Sequence, residues 1–180
     1  HSGGAKVARD SMDRVMAEIA ALPGRTALAV AVLEDGPPRL LHARDADAQM
    51  ATGSSFKLYL LAELTRATAA GERRWSDVAA LGPKSFSGRL MQWPDGAPMT
   101  LHSLATAMIA ESDNSAADTL LRILGREKVE AMLPATGHAE AGKALPLLGT
   151  AEAFALKMPG NADLRRRYEA ASAAERRALL

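Results

Sequence analysis

The chain has 180 residues, 48% of them hydrophobic and 24% charged, with a net charge of +1 and no cysteine. That balance describes one globular domain, or part of one. It excludes a disulfide framework and thiolate metal sites, and it gives no sign of a nucleic-acid or membrane surface. No run of about 18 apolar residues is present, so no membrane span is expected. The four histidines are scattered and no metal or other cofactor is implied. The chain starts without Met, and His1-Ser2-Gly3-Gly4 reads as a tag scar or trimmed end.

Residues 5–22 read as an amphipathic helix with Met12, Val15, Ile19 and Leu22 on one face, ended by Pro23-Gly24. Thr26 to Leu33 (TALAVAVL) reads as a buried strand. Arg39 to Ala43 reads as a second, and the turn residues Glu34 to Pro38 join them as a hairpin. From Ser55 to about Ala70 the pattern is helical and apolar nearly all round, as in a central helix. Residues 72–99 carry turn signals. Helices are then expected over 101–111 (capped by Thr100), 114–124 and 126–136 (each ended by glycine), and 151–158 (capped by Thr150). The tail after Asn161 is helical, and Ser172-x-x-Glu175 is a capping box that restarts it.

Only two strands are readable, and a lone hairpin is marginal. This points to an α+β arrangement: residues 1–45 as an N-terminal helix and hairpin, and residues 46–180 as a mostly helical subdomain. The sheet is expected to be finished by a second chain or chain segment.

The chemistry lies in two motifs. Ser54-Ser55-Phe56-Lys57 is followed, 58 residues after Ser54, by Ser112-Asp113-Asn114. Ser-x-x-Lys alone is common by chance; both motifs in this order mark a serine acyl-transfer site. A serine hydroxyl needs a base, and Lys57 at i+3 from Ser54 sits one helical turn away. Apolar neighbours would lower the lysine pKa and leave a neutral amine able to accept the proton. Ser55, at i+2, is on the wrong side. Ser112 can pass a proton to the leaving group, and Asn114 can bond a substrate amide and Lys57. Asp113 can cap the following helix. Trp93, on the turn-rich segment, is a candidate pocket residue.

The stretch Thr52 to Leu60, with Met108-Ile109-Ala110-Glu111-Ser112-Asp113-Asn114, resembles the class A β-lactamase and penicillin-binding superfamily. Within it, Gly125-Arg126-Glu127, Gly137-His138 and Pro146 to Thr150 resemble the β-lactamase-like esterases typified by the one encoded with clavulanic acid biosynthesis. The resemblance covers most of residues 25–180. It implies a β-lactamase/transpeptidase-like fold, a nucleophile at Ser54, a base at Lys57, a proton relay at Ser112 and a substrate contact at Asn114. The implied substrates are small esters, with weak action on β-lactams; the alternative is a sensor that acylates and stalls. The resemblance favours a periplasmic or secreted location over a cytoplasmic one. Two departures stand out. Where the family carries a deacylating Glu, the sequence reads Ala144 to Gly149 without a carboxylate. No Lys-Thr/Ser-Gly motif follows Asn114, and Lys84-Ser85-Phe86 precedes it. The family's last strands and C-terminal helix are therefore expected to lie outside these residues.

Overall fold

A computed structural model describes residues 11–180. The opening His1 to Gly4 and the first third of the expected N-terminal helix, residues 5–10, lie outside the described residues. Two compact units divide between Thr52 and Gly53.

In the first unit, helix α1 spans Met12–Ala20 and the Ser11 side chain caps it by accepting the Arg14 N–H. Strands β1 (Leu28–Val32) and β2 (Arg39–Arg44) form an antiparallel hairpin. The register runs from Leu28 opposite Arg44 to Val32 opposite Arg39, with a bulge at Val30/Ala31 that leaves Leu41 as the extra residue. No residue of α1, β1 or β2 is buried, and Leu33 and Leu40 are well exposed.

The second unit holds the core. A 3-10 turn at Gly53–Phe56 leads into α2 (Lys57–Ala69). Strand β3 (Val78–Ala80) pairs antiparallel with β4 (Pro98–Thr100). Helices α3 (Leu101–Ala110), α4 (Asn114–Leu124), α5 (Arg126–Ala135), α6 (Thr150–Lys157), α7 (Ala162–Ala170) and α8 (Ala173–Ala178) follow. Leu60 and Leu64 of α2 pack with Leu101, Leu104 and Met108 of α3, Leu120 of α4 and Val129 of α5, all at most 1% exposed. Truncating such a side chain to Ala typically costs about 2–5 kcal/mol. None of the described helices is long and apolar enough to cross a membrane.

Three expectations are corrected. The described residues contain four strands in two separate two-stranded sheets, not two strands, because the three-residue pair β3–β4 carries no periodic signal of its own. Helix α2 is one-sided: Lys57, Leu60, Glu63, Leu64 and Ala67 are buried, while Leu58 is 58% exposed. Thr150 does not cap α6. The carboxylate of Asp118, on α4, accepts the N–H groups of Thr150 (2.6 Å) and Ala151 (2.9 Å) instead.

Buried Glu63 is compensated by Arg66 one turn on, through two bonds of 2.7 and 2.9 Å, and Arg66 also grips Glu72. Arg66→Met leaves the Glu63 carboxylate buried and unpaired. Unfolding in urea should show a loss of about 2 kcal/mol, below the usual 3–5 because Arg66 is partly exposed and water can replace it. Adding Glu63→Leu should recover most of that loss; no recovery would mean that the cost lies in packing.

Candidate active site

The two motifs meet in the second unit. Ser54 lies in the 3-10 turn and Lys57 is the first residue of α2. In 3-10 geometry, residues three apart stack over one another, so Ser54 and Lys57 share a face. Ser54 is exposed at the surface, whereas Lys57 is 2% exposed. Across from them, Ser112 and Asp113 form the sharp link between α3 and α4. Ser112 takes φ 55°, a left-handed conformation that a non-glycine residue holds at a cost of about 1–2 kcal/mol.

Lys57 Nζ has three partners: it donates to the Ser112 carbonyl (2.7 Å), Asn114 Oδ1 (2.7 Å) and Ser112 Oγ (3.0 Å). Ser112 Oγ in turn donates to Ser54 Oγ at 3.1 Å. The lysine therefore reaches Ser54 through Ser112, where the sequence suggested direct contact across one turn. Burial pushes the Lys57 pKa below its ordinary value, and the carboxylates of Asp113 and Asp118 oppose that push.

The link is rigid because Asp113 and Asn114 hold a second segment. Asp113 is fully buried; it caps α4 by accepting the Ala116 N–H (2.9 Å) and also accepts the Leu90 N–H (2.8 Å). Asn114 donates from Nδ2 to the Phe86 carbonyl and from its backbone N–H to the Ser87 carbonyl. The Ser115 hydroxyl accepts the Ser85 N–H (3.0 Å), and Ser85 Oγ meets Thr150 Oγ1 at 2.5 Å. Segment 85–90 and residues 113–115 are thus stitched into one surface.

Gly88 makes the closest approach in that surface. It has φ 112°, and a Cβ there would stand 2.3 Å from Asp113 Oδ2 and 2.9 Å from Asp113 Cα. Gly88→Ala should destabilise the protein by more than about 2 kcal/mol, since backbone must move and an alanine resists that φ. Chemical denaturation checks this; a variant as stable as the parent would mean that segment 85–90 shifts freely.

The segment expected to lack a deacylating carboxylate is held by its backbone. The Leu147 N–H goes to Glu130 Oε1 (2.8 Å), and the Leu147 carbonyl accepts from Arg126. Glu130 is also paired with Arg177, and Glu152 accepts the Gly149 N–H while pairing with Arg126. Glu140 is exposed and paired with Lys143. Trp93 is 40% exposed; its carbonyl receives Lys84 Nζ, and none of the cluster's hydrogen bonds reaches it. Lys84 also pairs with Asp95 (3.3 Å), an ordinary surface role. Among the described residues, no group of three acidic or histidine side chains could hold a metal. Sequence reasoning missed the parts played by Asp118 and Glu130, and no local signal could have found them, because their partners Thr150, Leu147 and Arg177 lie 17 to 47 residues away.

The cluster thus joins an exposed serine, through a second hydroxyl, to a buried lysine. Residues 9–176 match the β-lactamase enzyme family, and the chain belongs to that family. A β-lactamase from Sphaerobacter thermophilus is similar to it, with 29% identity and a TM-score of 0.53 over 62% of this chain and 41% of that one. An ancestral class A β-lactamase has 26% identity and a TM-score of 0.57, covering 80% and 61%. The protein PBP-A shares the fold at 18% identity and a TM-score of 0.58, covering 69% and 48%. A mutant of that protein was solved as its acyl-enzyme complex with penicillin G. The chain thus spans between 41% and 61% of the length of these three structures. No curated protein matches it. The fold is the α+β, β-lactamase-like one.

Proposed function

We propose that the chain carries the acylation machinery of a serine hydrolase that acts on small esters and weakly on β-lactams. The observation that carries this reading is the path from Lys57 Nζ through Ser112 Oγ to Ser54 Oγ. A neutral amine has two N–H groups and one lone pair. Two of the three Lys57 partners, the Ser112 carbonyl and Asn114 Oδ1, can only accept, so they take the two N–H groups. The lone pair then faces the only partner able to donate, the Ser112 hydroxyl. With the amine neutral, the chain of bonds reverses: Ser54 O–H donates to Ser112 Oγ, and Ser112 O–H donates to Nζ.

The step follows from that polarity. Ser54 Oγ attacks the substrate carbonyl carbon, and its proton passes to Ser112 as the Ser112 proton passes to Lys57. The new C–O bond converts the carbonyl to an oxyanion, for which the Ser54 N–H is a donor. As the intermediate collapses, the C–O bond of an ester or C–N bond of a lactam breaks. The leaving oxygen or nitrogen takes a proton from Ser112, which Lys57 replenishes. Asn114 Nδ2 has a second N–H for a substrate amide carbonyl, and Trp93 lines the approach. Water then releases the acid from acyl-Ser54. The likeness of three short segments to the clavulanate-type esterases favours esters as the main substrates.

A second reading, a penicillin-recognising sensor that acylates without turnover, is favoured by the segment from Ala144 to Gly149. It offers no carboxylate, and nearby Glu130 is committed to Leu147 and Arg177. Without a base for the attacking water, a β-lactam adduct should persist for minutes or longer. Intact mass after incubation with benzylpenicillin, run beside turnover of a chromogenic short-chain ester, separates the readings. Ester turnover supports the hydrolase, a stable adduct without turnover supports the sensor, and absence of both refutes the acyl-serine site.

We propose also that a further polypeptide segment completes the sheet beside β1. The support is the apolar strand Leu28–Val32, which pairs only with β2 among the described strands and has no buried residue. Such a segment would bring a second oxyanion donor, worth about a hundredfold in rate. The test is to express residues 1–180 alone. Poor folding or self-association with little esterase activity is expected. A cooperative monomer with normal turnover would sink the idea.

A further inference from the structure

We propose that Glu130 and Arg177 are positioning residues for acylation: through the buried Glu130 carboxylate, helix α8 braces residues 145–150 against the Lys57 end of the reactive cluster and keeps water from it. The inference rests on the reading of Lys57 as the base that serves Ser54.

Residues 145–150 read Leu-Pro-Leu-Leu-Gly-Thr, and Pro146, Leu147, Gly149 and Thr150 are buried. They lie against α4. A Cβ at Gly149 would stand 3.3 Å from Asp118 Oδ1 and 3.4 Å from Leu121 Cδ2, and Thr150 Oγ1 donates to the Asn114 carbonyl at 3.5 Å. Asn114, Asp118 and Leu121 are spaced i, i+4, i+7 and so share one helix face. That face borders the lysine. Asn114 Oδ1 accepts from Lys57 Nζ, and Asp118 is one of the two carboxylates, with Asp113, whose charge reaches it. Residues 145–150 therefore close the cluster on its α4 side.

Two charged side chains of α5, one turn apart, hold the Leu147 peptide. Glu130 Oε1 accepts its N–H at 2.8 Å, and Arg126 donates to its carbonyl. Each has a second partner. For Arg126 that is Glu152, on the helix that follows directly. For Glu130 it is Arg177, which reaches the other carboxylate oxygen from α8, 47 residues on. The Glu130 side chain is 7% exposed, so Arg177 offsets a buried charge. Arg177 also faces Glu127 and Tyr168. Helix α8 has no buried residue of its own, and its other arginine, Arg176, bonds the carbonyls of Tyr168 and Glu169 on α7.

Without Arg177, a carboxylate bonded to one N–H would remain in a dry site. It would turn to water or take up a proton, and either change weakens its bond to Leu147. The loosened segment would admit water beside Lys57. Hydration favours the charged amine and undoes part of the push that burial gives.

The test uses the full-length protein with p-nitrophenyl acetate as probe. Two quantities are read: the pH midpoint of the acylation constant, from the p-nitrophenol burst, and amide hydrogen exchange of the peptide spanning residues 145–151. In Arg177→Met, exchange there should quicken by about tenfold or more, as for a segment that opens locally. The midpoint should rise by about half to one pH unit, a part of what full burial imposes, so that acylation below it slows ~3- to 10-fold. Arg177→Lys, which keeps the charge, should stay near the parent. Adding Glu130→Gln to Arg177→Met should restore most of both quantities, because glutamine still accepts the Leu147 N–H and buries no charge. Partial unfolding would lower the burst amplitude at every pH without moving the midpoint. An Arg177→Met protein with parental exchange, or with faster exchange and an unmoved midpoint, overturns the inference. So does failure of Glu130→Gln to restore it, which would place the loss in the packing of α8. If the parent shows no burst on Ser54 at any pH, the acyl-serine reading fails and this inference falls with it.

Discussion

Lys57→Arg should lower the rate of Ser54 acylation by about 10³-fold, the middle of the range for a lost general base. Guanidinium stays charged at any working pH and has no lone pair to offer the Ser112 hydroxyl. The parent's pH profile should make the same point. The active form is the neutral amine, whose pKa burial pushes below the ordinary 10.5. Acylation should therefore rise with pH through that lowered value and then level off, and fall as pH drops below it. The arginine variant should lack that rise. Because the folded pKa lies below the unfolded one, the unfolded chain binds the extra proton between the two values. The lysine's contribution to stability accordingly increases with pH across that window. Stopped-flow acylation over a pH series, with melting curves on both proteins, tests each part. A Lys57→Arg protein that acylates at near the parental rate would falsify the assignment of Lys57 as the base.

Ser54→Ala should abolish covalent labelling by penicillin or activated ester, a loss of about 10⁴ to 10⁶ in rate, as for other nucleophiles removed from acyl-transfer sites. The variant should melt close to the parent, since Ser54 is exposed and its bond to Ser112 Oγ is of ordinary strength. Ser55→Ala, two residues before Lys57 rather than three, should keep the label. Tryptic peptides do not separate the two serines, so fragmentation spectra are needed. Label on Ser55 would move the nucleophile by one residue; label retained in Ser54→Ala would remove the assignment.

What the sequence disclosed follows from where each signal is stored. Helices α3, α4 and α5 were readable to within a residue because their ends are local: Thr100 and Asp113 cap the next turn, and Gly125 takes φ 89° between two helices. The strands β3 and β4 were not, because three residues cannot display a period and their pairing joins Val78 to Thr100 across a long loop. The start of α6 was misassigned to Thr150 for the same reason, since its cap arrives from Asp118, 32 residues upstream. In the site, the residue types at 54, 57, 112 and 114 stood out as a motif. That Ser112 stands between the lysine and Ser54 did not, because it depends on a 3-10 turn and on the left-handed backbone at Ser112. The part played by residues 85–88 was hidden altogether, since only Asp113, Asn114 and Ser115 give it meaning.

Asp118 holds two offices at once. Its carboxylate supplies the missing cap of α6, and its charge favours the protonated form of Lys57. Deleting that charge would leave burial less opposed and carry the neutral form of Lys57 to lower pH. The same deletion would unfasten the first turn of α6. A lineage under selection for that shift would have to change position 118 together with a new donor-satisfying residue at Gly149 or Thr150, so the two sites should drift as a pair rather than singly.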